Sequence, residues 1–358
     1  LVSSGGARYK ALYLGGSSSR MTLATLRRLA ALVEEGATII GKPPVGSPNL
    51  KDDPNAFQAL VAKLWSGDQL TQFGKGRVYA MEDVEAALNQ AGVKPDFWYT
   101  GGDQQSSIPF VHRQLEQGDS YFIVNQRAKA ETIEARFRVA GKIPELWHAE
   151  TGATEPVSYR LVDGETIVPL ELQADESVHV VFREDTAAEQ KIVPPVSLQL
   201  ATSISGPWQV GFQQGRGAPE GVELQTLIPL NESEMDSVRY FSGIASYSTE
   251  FLAPEGWQHG ESLVLDLGTI GDLAEVSING ESVGGVWHAP YRLEVGSAVR
   301  EGSNHLEIRV ANLWTNRLIG DAQAEADKIT WTPLPTYRAD APLRPSGLIG
   351  PVNLLTKQ

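Results

Sequence analysis

Between Leu263 and Val310 the chain repeats apolar residues at every second position in several short segments, and this pattern constrains the fold most strongly. The alternating residues are Leu263, Leu265, Leu267, Ala274, Val276, Ile278, Leu293, Val295, Leu306, Ile308 and Val310. A period of two is typical of strands that bury one face. Asn279-Gly280 separates two segments and readily takes the positive φ angles of a tight hairpin turn, and Gly302-Ser303-Asn304 marks another turn. Short strands with regularly spaced turns predict a β-sandwich.

The same region carries an unusual number of aromatic and amide side chains at the predicted strand ends. They are Trp287, His288, Tyr291, Asn312, Trp314, Asn316 and Arg317. An aromatic ring can cover the apolar C–H face of a pyranose, while amides and Arg bond to its hydroxyls, so these residues are candidates for sugar contact. The alternative is that Trp287, Tyr291 and Trp314 only fill the core between two sheets.

Composition limits the classes of function that the chain can have. A length of 358 residues suggests two or three domains, and 41% hydrophobic with 21% charged residues is typical of globular proteins. The net charge of -14 argues against a nucleic-acid partner, and no segment has the length of an apolar membrane span. Without cysteine, the chain has neither disulfides nor thiolate metal sites. We therefore expect no nucleic acid and no membrane as partners.

The first segment, residues 1–117, is predicted to form a small α/β domain with a parallel sheet. A strand ends at Gly15-Gly16, and a helix follows from about Thr22 with its apolar residues on one face and Gly36 at its C-cap. A second strand at residues 37–41 completes a βαβ unit. The glycine-serine loop after the first strand lacks the spacing of a nucleotide-binding motif, so we expect no nucleotide cofactor, and no haem.

Two further segments return to the period of two. Residues 118–192 are predicted to form a thin β-sandwich, and residues 193–358, which begin with the linker Val193-Pro194-Pro195, a larger jelly-roll sandwich. The predicted fold class is multidomain and mainly β, with a Rossmann-like α/β domain, a thin sandwich and a galactose-binding-like jelly roll. Because the sequence starts at Leu1 without an initiator Met or a signal segment, we expect a piece of a longer polypeptide.

Several motifs of the third segment resemble a known domain. Trp208-Gln209-Val210, the residues 240–243 (Tyr-Phe-Ser-Gly), and Asp266-Leu267-Gly268 followed by residues 274–280 are similar to the jelly-roll sugar-binding domain of family 2-type glycosidases. Two further motifs point to a narrower family. They are residues 312–321 (Asn-Leu-Trp-Thr-Asn-Arg-Leu-Ile-Gly-Asp) and 345–351 (Pro-Ser-Gly-Leu-Ile-Gly-Pro). They resemble the C-terminal part of α-L-rhamnosidases of glycoside hydrolase family 106.

Segments earlier in the chain resemble the same family in the same order, so the resemblance covers nearly the whole sequence. They are residues 9–41, 111–113, 121–126 and 144–147. The resemblance implies an inverting hydrolase that removes terminal α-L-rhamnose, with a (β/α)8 barrel that carries the chemistry and calcium at the substrate site. A barrel needs about 250 residues, which do not precede Tyr9 here. The catalytic residues are therefore unknown and expected N-terminal to this chain.

Carboxylates within the chain offer an alternative location for catalysis. Inversion requires two carboxyl groups about 6.5–9.5 Å apart, and the candidates are Glu145, Glu150, Glu275 and Asp321. We expect Glu275 to face solvent, since it alternates with apolar residues, and Asp321 to bind a backbone turn. Asp52 with Asp53, or Asp321 with Glu325 and Asp327, could bind calcium, but neither set matches an EF-hand, and the metal ligands stay unassigned. The scattered histidines do not favour zinc.

The favoured hypothesis is the accessory, non-barrel part of a bacterial α-L-rhamnosidase, either periplasmic or secreted. Its expected partners are rhamnose-containing glycans or glycosides and the missing catalytic barrel of the same polypeptide. The seven aromatic and polar candidates would line one end of the jelly roll, facing sugar or barrel. The alternatives are a stand-alone, non-catalytic carbohydrate-binding protein, a scaffold whose aromatics are all buried, and a fragment of a family 2-like β-glycosidase.

Overall fold

The computed structural model describes residues 1–358, and the chain divides into two compact units, Leu1–Asp96 and Phe97–Gln358. The first unit is α/β and the second is built from β-sheets, which confirms the predicted fold class of a mainly β, multidomain chain. No helix of the chain has both the length and the apolar character needed to cross a lipid bilayer.

The first unit is a four-stranded sheet with three helices, in the strand order β1-β2-β4-β3. Its elements are β1 (Ala11–Tyr13), α1 (Leu23–Glu34), β2 (Thr38–Ile40), α2 (Pro54–Leu64), β3 (Leu70–Phe73), β4 (Gly76–Tyr79) and α3 (Val84–Gln90). Strands β1, β2 and β4 are parallel, as the predicted βαβ unit requires. Thr22 caps α1 by accepting a hydrogen bond from the Thr25 backbone N–H, and Leu26 and Val33 on its inner face are buried.

The second unit begins with a sandwich of two five-stranded antiparallel sheets, with the orders β10-β9-β13-β7-β6 and β14-β11-β12-β8-β5. Its strands are β5 (Phe97–Gly101), β6 (Phe110–Leu115), β7 (Gly118–Val124), β8 (Glu131–Phe137), β9 (Lys142–Trp147), β10 (Thr154–Pro156), β11 (Tyr159–Val162), β12 (Glu165–Leu172), β13 (Ser177–Asp185) and β14 (Gln190–Lys191).

The sandwich starts earlier than the predicted boundary at residue 118. Strand β5 pairs with β8 and β6 pairs with β7, so both belong to the sandwich rather than to the α/β unit. Phe97 at the start of β5 lies in the sandwich core, together with Tyr121 and Phe137. A linker of six residues, 91–96, separates α3 from β5, and only the strand pairing, which the sequence pattern does not reveal, places β5 in the sandwich.

The remainder of the second unit is the predicted jelly-roll-like sandwich, with a four-stranded sheet (β15-β26-β19-β23), a six-stranded sheet (β17-β16-β18-β24-β21-β22) and the small pair β20-β25. Its elements are β15 (Leu198–Ile204), β16 (Trp208–Phe212), β17 (Gly221–Leu224), α4 (Asp236–Arg239), β18 (Ile244–Leu252), β19 (Leu263–Asp266), β20 (Thr269–Ile270), β21 (Leu273–Ile278), β22 (Glu281–Val286), β23 (Arg292–Glu294), β24 (Ser303–Ala311), α5 (Thr315–Asp321), β25 (Leu348–Gly350) and β26 (Val352–Lys357).

The period-two pattern builds the core of this sandwich. Val276 and Ile278 on β21 and Ile308 and Val310 on β24 are fully buried, and the two strands pair in antiparallel register. Asn279 and Gly280 have positive φ angles of 52° and 82°, so the predicted tight hairpin between β21 and β22 is confirmed. This register brings the end of β22, the start of β21 and the end of β24 to the same edge of the sandwich.

Candidate functional site

Exposed apolar side chains collect where β21 begins and where β22 and β24 end. Leu273 pairs with Ala311, and Ala274 pairs with Val286, so the residues that follow Ala311 and Val286 lie at one end of the six-stranded sheet. Leu273, Trp287, Leu313 and Trp314 are 44%, 58%, 50% and 43% exposed, respectively. We call these four residues the end patch. Exposed clusters of large apolar side chains are typical of surfaces that bind a ligand or a partner.

The scaffold hypothesis required Trp287 and Trp314 to be buried in the core, but both side chains are exposed. Trp314 lies with the guanidinium of Arg216 4.6 Å from its ring centroid, which fixes one face of the indole. Trp287 makes an edge contact with His288, with 5.9 Å between ring centroids. Both rings present surface to the outside of the sandwich.

Asn312 and Asn316, by contrast, are buried and bond to backbone. The Asn312 side chain donates to the Gly243 carbonyl at 3.1 Å and accepts from the Gly347 N–H at 2.6 Å. Asn316 donates to the Arg344 carbonyl at 2.7 Å and accepts from the Arg344 N–H at 2.8 Å. With their polar atoms used in this way, the two amides fasten the returning segment 344–347 under the end patch.

Arg317 is also a structural residue. Its guanidinium pairs with Asp321 one helical turn later at 2.9 Å, and both side chains are only 8% exposed. Asp321 in turn accepts hydrogen bonds from the backbone N–H groups of Ile329 and Thr330, at 3.2 Å and 2.7 Å. Burial alone would raise the pKa of Asp321, but these hydrogen bonds and the charge of Arg317 lower that pKa below its ordinary value. The prediction that Asp321 binds a backbone turn is confirmed.

Tyr291 is half-buried and packs against the core of the jelly roll. Its pKa is raised, first because burial disfavours the phenolate and second because the Asp272 carboxylate is near, while Arg344 opposes the shift. Asp272 pairs with Arg344 at 3.0 Å and accepts from the Leu313 N–H at 2.8 Å. Tyr291 thus stays a neutral phenol beside the end patch.

His288 points away from the end patch, toward the sandwich that precedes the jelly roll. Its Nε2 makes a short hydrogen bond with Glu150 in the turn between β9 and β10, and its Nδ1 lies 2.9 Å from the Ala289 carbonyl oxygen. Partial burial opposes the charged imidazolium, yet the Ala289 carbonyl and the carboxylates of Glu150 and Glu176 raise the pKa of His288. The residue therefore joins the two sandwiches of the second unit.

Glu176 and His148, which sequence analysis did not single out, complete this His–Glu cluster. His148 lies 3.1 Å from Glu155 and 3.8 Å from Glu176. The pKa of Glu176 is raised, chiefly because its carboxyl is buried. His148, Glu150 and Glu155 are close in sequence, in and beside the turn between β9 and β10, but only the fold brings Glu176 and His288 to them.

Each of the four candidate carboxylates has a partner in the fold. Glu145 accepts from the Trp147 indole N–H at 3.2 Å, and Glu150 bonds to His288. Glu275 is exposed, as predicted, and pairs with Arg309 on the neighbouring strand at 2.9 Å. Asp321 is engaged by Arg317 and the backbone turn.

The candidate metal ligands do not form a centre. Nowhere in residues 1–358 do three or more His, Asp or Glu side chains come together in a way that could hold a metal ion. Asp52 accepts hydrogen bonds from the Leu23 N–H at 2.7 Å and from Ser47 at 2.6 Å, which also lower its pKa. Asp321 is bonded to Arg317 and to the backbone N–H groups of Ile329 and Thr330.

A further exposed aromatic residue lies in the long loop between α5 and β25. Trp331 is 85% exposed, and a cleft of about 240 Å³ lies beside it, bordered by Asp321, Lys328 and Tyr337. The sequence offered one signal for this loop, namely the prolines on either side of Leu334, which exclude a helix or an inner strand.

Comparison with known proteins agrees with this architecture. Residues 1–161 match the family model described as α-L-rhamnosidase of glycoside hydrolase family 106, and residues 225–342 match the galactose-binding-like domain of glycosyl hydrolase family 2. A solved rhamnosidase from Novosphingobium sp. PP1Y is 54% identical, with a TM-score of 0.91, over 100% of this chain and 34% of its own.

Two more distant relatives were found. A protein of Formosa agariphila, provisionally named a β-glucuronidase, is 23% identical over 85% of this chain and 45% of its own length. A β-glucuronidase from Ruminococcus gnavus is 18% identical with a TM-score of 0.32, covering 45% of this chain and 28% of its own. The chain thus spans less than half the length of each of these relatives.

These matches confirm the resemblance found in the sequence: residues 1–161 are similar to α-L-rhamnosidases of glycoside hydrolase family 106, and residues 225–342 are similar to the galactose-binding-like domain of glycosyl hydrolase family 2.

Proposed function

We propose that this chain is the accessory part of an α-L-rhamnosidase that hydrolyses terminal α-L-rhamnosides with inversion. The observation that supports this most directly is the match of the entire chain, at 54% identity, to about a third of a rhamnosidase. In this proposal the jelly roll supports a catalytic barrel in the same polypeptide. The inverting carboxylate pair lies outside the residues described here, since Glu145, Glu150, Glu275 and Asp321 are engaged in structural contacts.

The end patch is the surface that we assign to the barrel or to the sugar bound there. Leu273, Trp287, Leu313 and Trp314 are all exposed, although they begin or follow strands whose other apolar residues are largely buried. The buried amides of Asn312 and Asn316 and the Arg317–Asp321 pair make the base of this surface rigid. A rigid aromatic surface loses little side-chain entropy on contact, which favours a docking role.

The activity test compares this chain with the full-length product of its gene, using 4-nitrophenyl α-L-rhamnopyranoside. We expect turnover by the full-length product and none by the 358-residue chain. Turnover by the chain alone would show that its own carboxylates catalyse the reaction. Release of β-L-rhamnose as the first product, observed by proton NMR, would identify inversion, and release of the α-anomer would contradict it.

Docking through the end patch is tested by Trp314→Ala in the full-length product. We expect kcat/KM to fall about tenfold, since removing one aromatic anchor from an interface costs at least about 1–2 kcal/mol. The matched control is Leu252→Ala, because Leu252 is 69% exposed and lies far from the end patch. It is at the end of β18 that pairs with Ser303, whereas the other end of β18 pairs with Ala311. Equal rates in the two variants would contradict the docking role.

The second candidate is a family 2-like β-glycosidase segment, favoured by the name of the Formosa agariphila relative. It predicts turnover of 4-nitrophenyl β-D-glucuronide, and not of the rhamnoside, by the full-length product. Calcium at the substrate site of the whole enzyme and a periplasmic or secreted location also remain proposals. Chelation with EDTA followed by calcium addition tests the first, and cell fractionation tests the second.

A further inference from the structure

The outer face of the sheet β10-β9-β13-β7-β6 is unusually apolar for the solvent side of an antiparallel sandwich. Val181 on β13 points away from the sandwich core, yet it is only 2% exposed. The register places it opposite Glu145 on β9 and Ser120 on β7. Trp147 and His179 are the next facing pair along the same strands. Val181 is therefore the floor of a groove, and its neighbours form the walls.

This groove has a volume of about 360 Å³, which is within the range of small-ligand sites. It is bordered by Leu115, Trp147, His148, Ala149, Gly152, Ala153, His179 and Val181. We call it the outer groove. Its walls are mostly aliphatic and aromatic, with polar atoms from His148, His179 and Ser120 at a few positions.

One wall is a tryptophan whose orientation is fixed by two neighbouring side chains. The Trp147 indole N–H donates to Glu145 at 3.2 Å, and the Arg183 guanidinium lies 4.6 Å from the ring centroid. Arg183 also lies 3.5 Å from Glu145, so the three side chains support one another. A ring held in this way needs no rearrangement before a ligand stacks on it.

The other wall is the turn between β9 and β10, which the jelly roll holds in place. His148, Ala149, Gly152 and Ala153 of this turn border the outer groove. Within the turn, the Gly152 N–H donates to the His148 carbonyl at 2.8 Å. Glu150, at the tip, bonds to His288 of the jelly roll. The shape of the outer groove thus depends on a contact between the two sandwiches.

We propose that the outer groove binds a neutral pyranoside, with the sugar ring stacked on Trp147. The ionisable groups around it are paired internally, Arg183 with Glu145 and His148 with Glu155, so no unpaired charge is offered to a charged ligand. Apolar walls suit the C–H face of a sugar ring and a methyl substituent. His179 Nδ1 lies 3.3 Å from Ser120 Oγ, which leaves its Nε2 for a sugar hydroxyl.

The choice of a rhamnoside as probe rests on the proposed function, while the groove itself rests on the geometry. The 358-residue chain is titrated with methyl α-L-rhamnopyranoside and, separately, with D-glucuronic acid, by isothermal calorimetry and by ¹H–¹⁵N NMR. We expect shifts confined to the outer groove with the neutral rhamnoside. Weaker binding of the charged uronate is expected from the absence of an unpaired cation.

The decisive variant is Trp147→Ala, which should weaken rhamnoside binding about tenfold or more, because aromatic anchors carry most of the binding energy of small interfaces. Its matched control is Trp98→Ala, since Trp98 lies on the other sheet of the same sandwich with Arg136 4.5 Å from its ring centroid. That control should bind as the unchanged chain does. His179→Gln, which alters the polar wall alone, should weaken binding severalfold and serves if Trp147→Ala does not fold.

Absence of shifts at saturating rhamnoside would overturn the proposal, as would shifts that survive both Trp147→Ala and His179→Gln. Tighter binding of glucuronic acid would overturn the assignment of a neutral ligand. The result is separable from the proposed function, because hydrolysis by the full-length gene product does not depend on this titration. Rhamnosidase activity without binding in the outer groove would refute only the claim that the groove binds a sugar. Binding without rhamnosidase activity would refute only the proposed function.

Discussion

The end patch of the jelly roll and the outer groove of the preceding sandwich both present tryptophans to solvent, but they are built differently. Trp287 and Trp314 follow the ends of strands, and their exposure comes from their position beyond the sheet. Trp147 lies within the sheet, beside Arg183 and Glu145, over a floor that is buried. Exposed rings beyond the ends of strands suit contact with a partner surface, whereas a concave groove suits a small ring-shaped ligand. The difference suggests a division of roles within one unit.

The largest effect is expected from the base of the end patch. Arg317→Ala removes one partner of a buried ion pair and leaves Asp321 uncompensated, so it should lower the free energy of unfolding by about 3–5 kcal/mol. Urea unfolding, followed by the transition of the 97–358 unit, measures this loss. Arg309→Ala is the matched control, because Arg309 pairs with Glu275 at the surface and such pairs contribute about 0–1 kcal/mol. Similar losses for the two variants would mean that the base is not rigid.

The residues around this ion pair were harder to interpret from the sequence than the strands that precede them. The period-two pattern correctly predicted the strands β21 and β24 and the hairpin at Asn279-Gly280, because alternation follows directly from which face is buried. The same analysis placed Asn312, Asn316 and Arg317 among the sugar-contacting candidates, yet all three are buried and bonded within the fold. Amides and arginines after a strand have the same appearance whether they bind a ligand or a returning loop.

The outer groove was not predicted for a different reason. Trp147, His179 and Val181 come from strands more than thirty positions apart in sequence, and only the antiparallel register brings them together. In the sequence, Trp147 belongs to residues 144–147, which drew attention only as one of the segments that resemble the rhamnosidase family. Val181 interrupts the alternation, since Val180, Val181 and Phe182 are all buried, and this local break of the pattern was the one available signal. Breaks of this kind indicate a strand that is covered on both faces.

A second prediction compares the two kinds of tryptophan directly. Trp147→Ala should lower the free energy of unfolding by about 1–3 kcal/mol, below the range for a fully buried tryptophan, because it removes the packing with Arg183 and the partner of Glu145. Trp287→Ala should change it by less than about 0.5 kcal/mol, as is usual for exposed side chains. Thermal unfolding of the two variants gives the comparison. A larger loss of stability for Trp287→Ala than for Trp147→Ala would contradict this difference between an exposed ring and a packed ring.

The smallest effect on stability is expected from a change of pH, which acts on the contact between His288 of the jelly roll and Glu150 of the preceding sandwich. The pKa of His288 is raised by the Ala289 carbonyl and the carboxylates of Glu150 and Glu176, despite the opposing effect of burial. A raised folded-state pKa means that the contact stabilises fully below the ordinary value of 6.5 and loses this contribution as pH rises through the raised value. The raised pKa of Glu176 acts in the same direction, because burial penalises its ionised form as pH rises.

The stability of the 97–358 unit should therefore fall as pH rises above about 6.5, by no more than about 1 kcal/mol, since Glu150 is partly exposed and solvent screens the pair. His288→Gln should remove most of this pH dependence, whereas His305→Gln should leave it, because His305 pairs with Glu250 at the surface with side chains 50% and 64% exposed. Urea unfolding of the three proteins at several pH values measures it. If His288→Gln loses stability as steeply as the unchanged chain, the contact does not couple the turn beside the outer groove to the jelly roll. In that case the two regions would respond to pH independently, and the shape of the groove would be set by the sandwich alone.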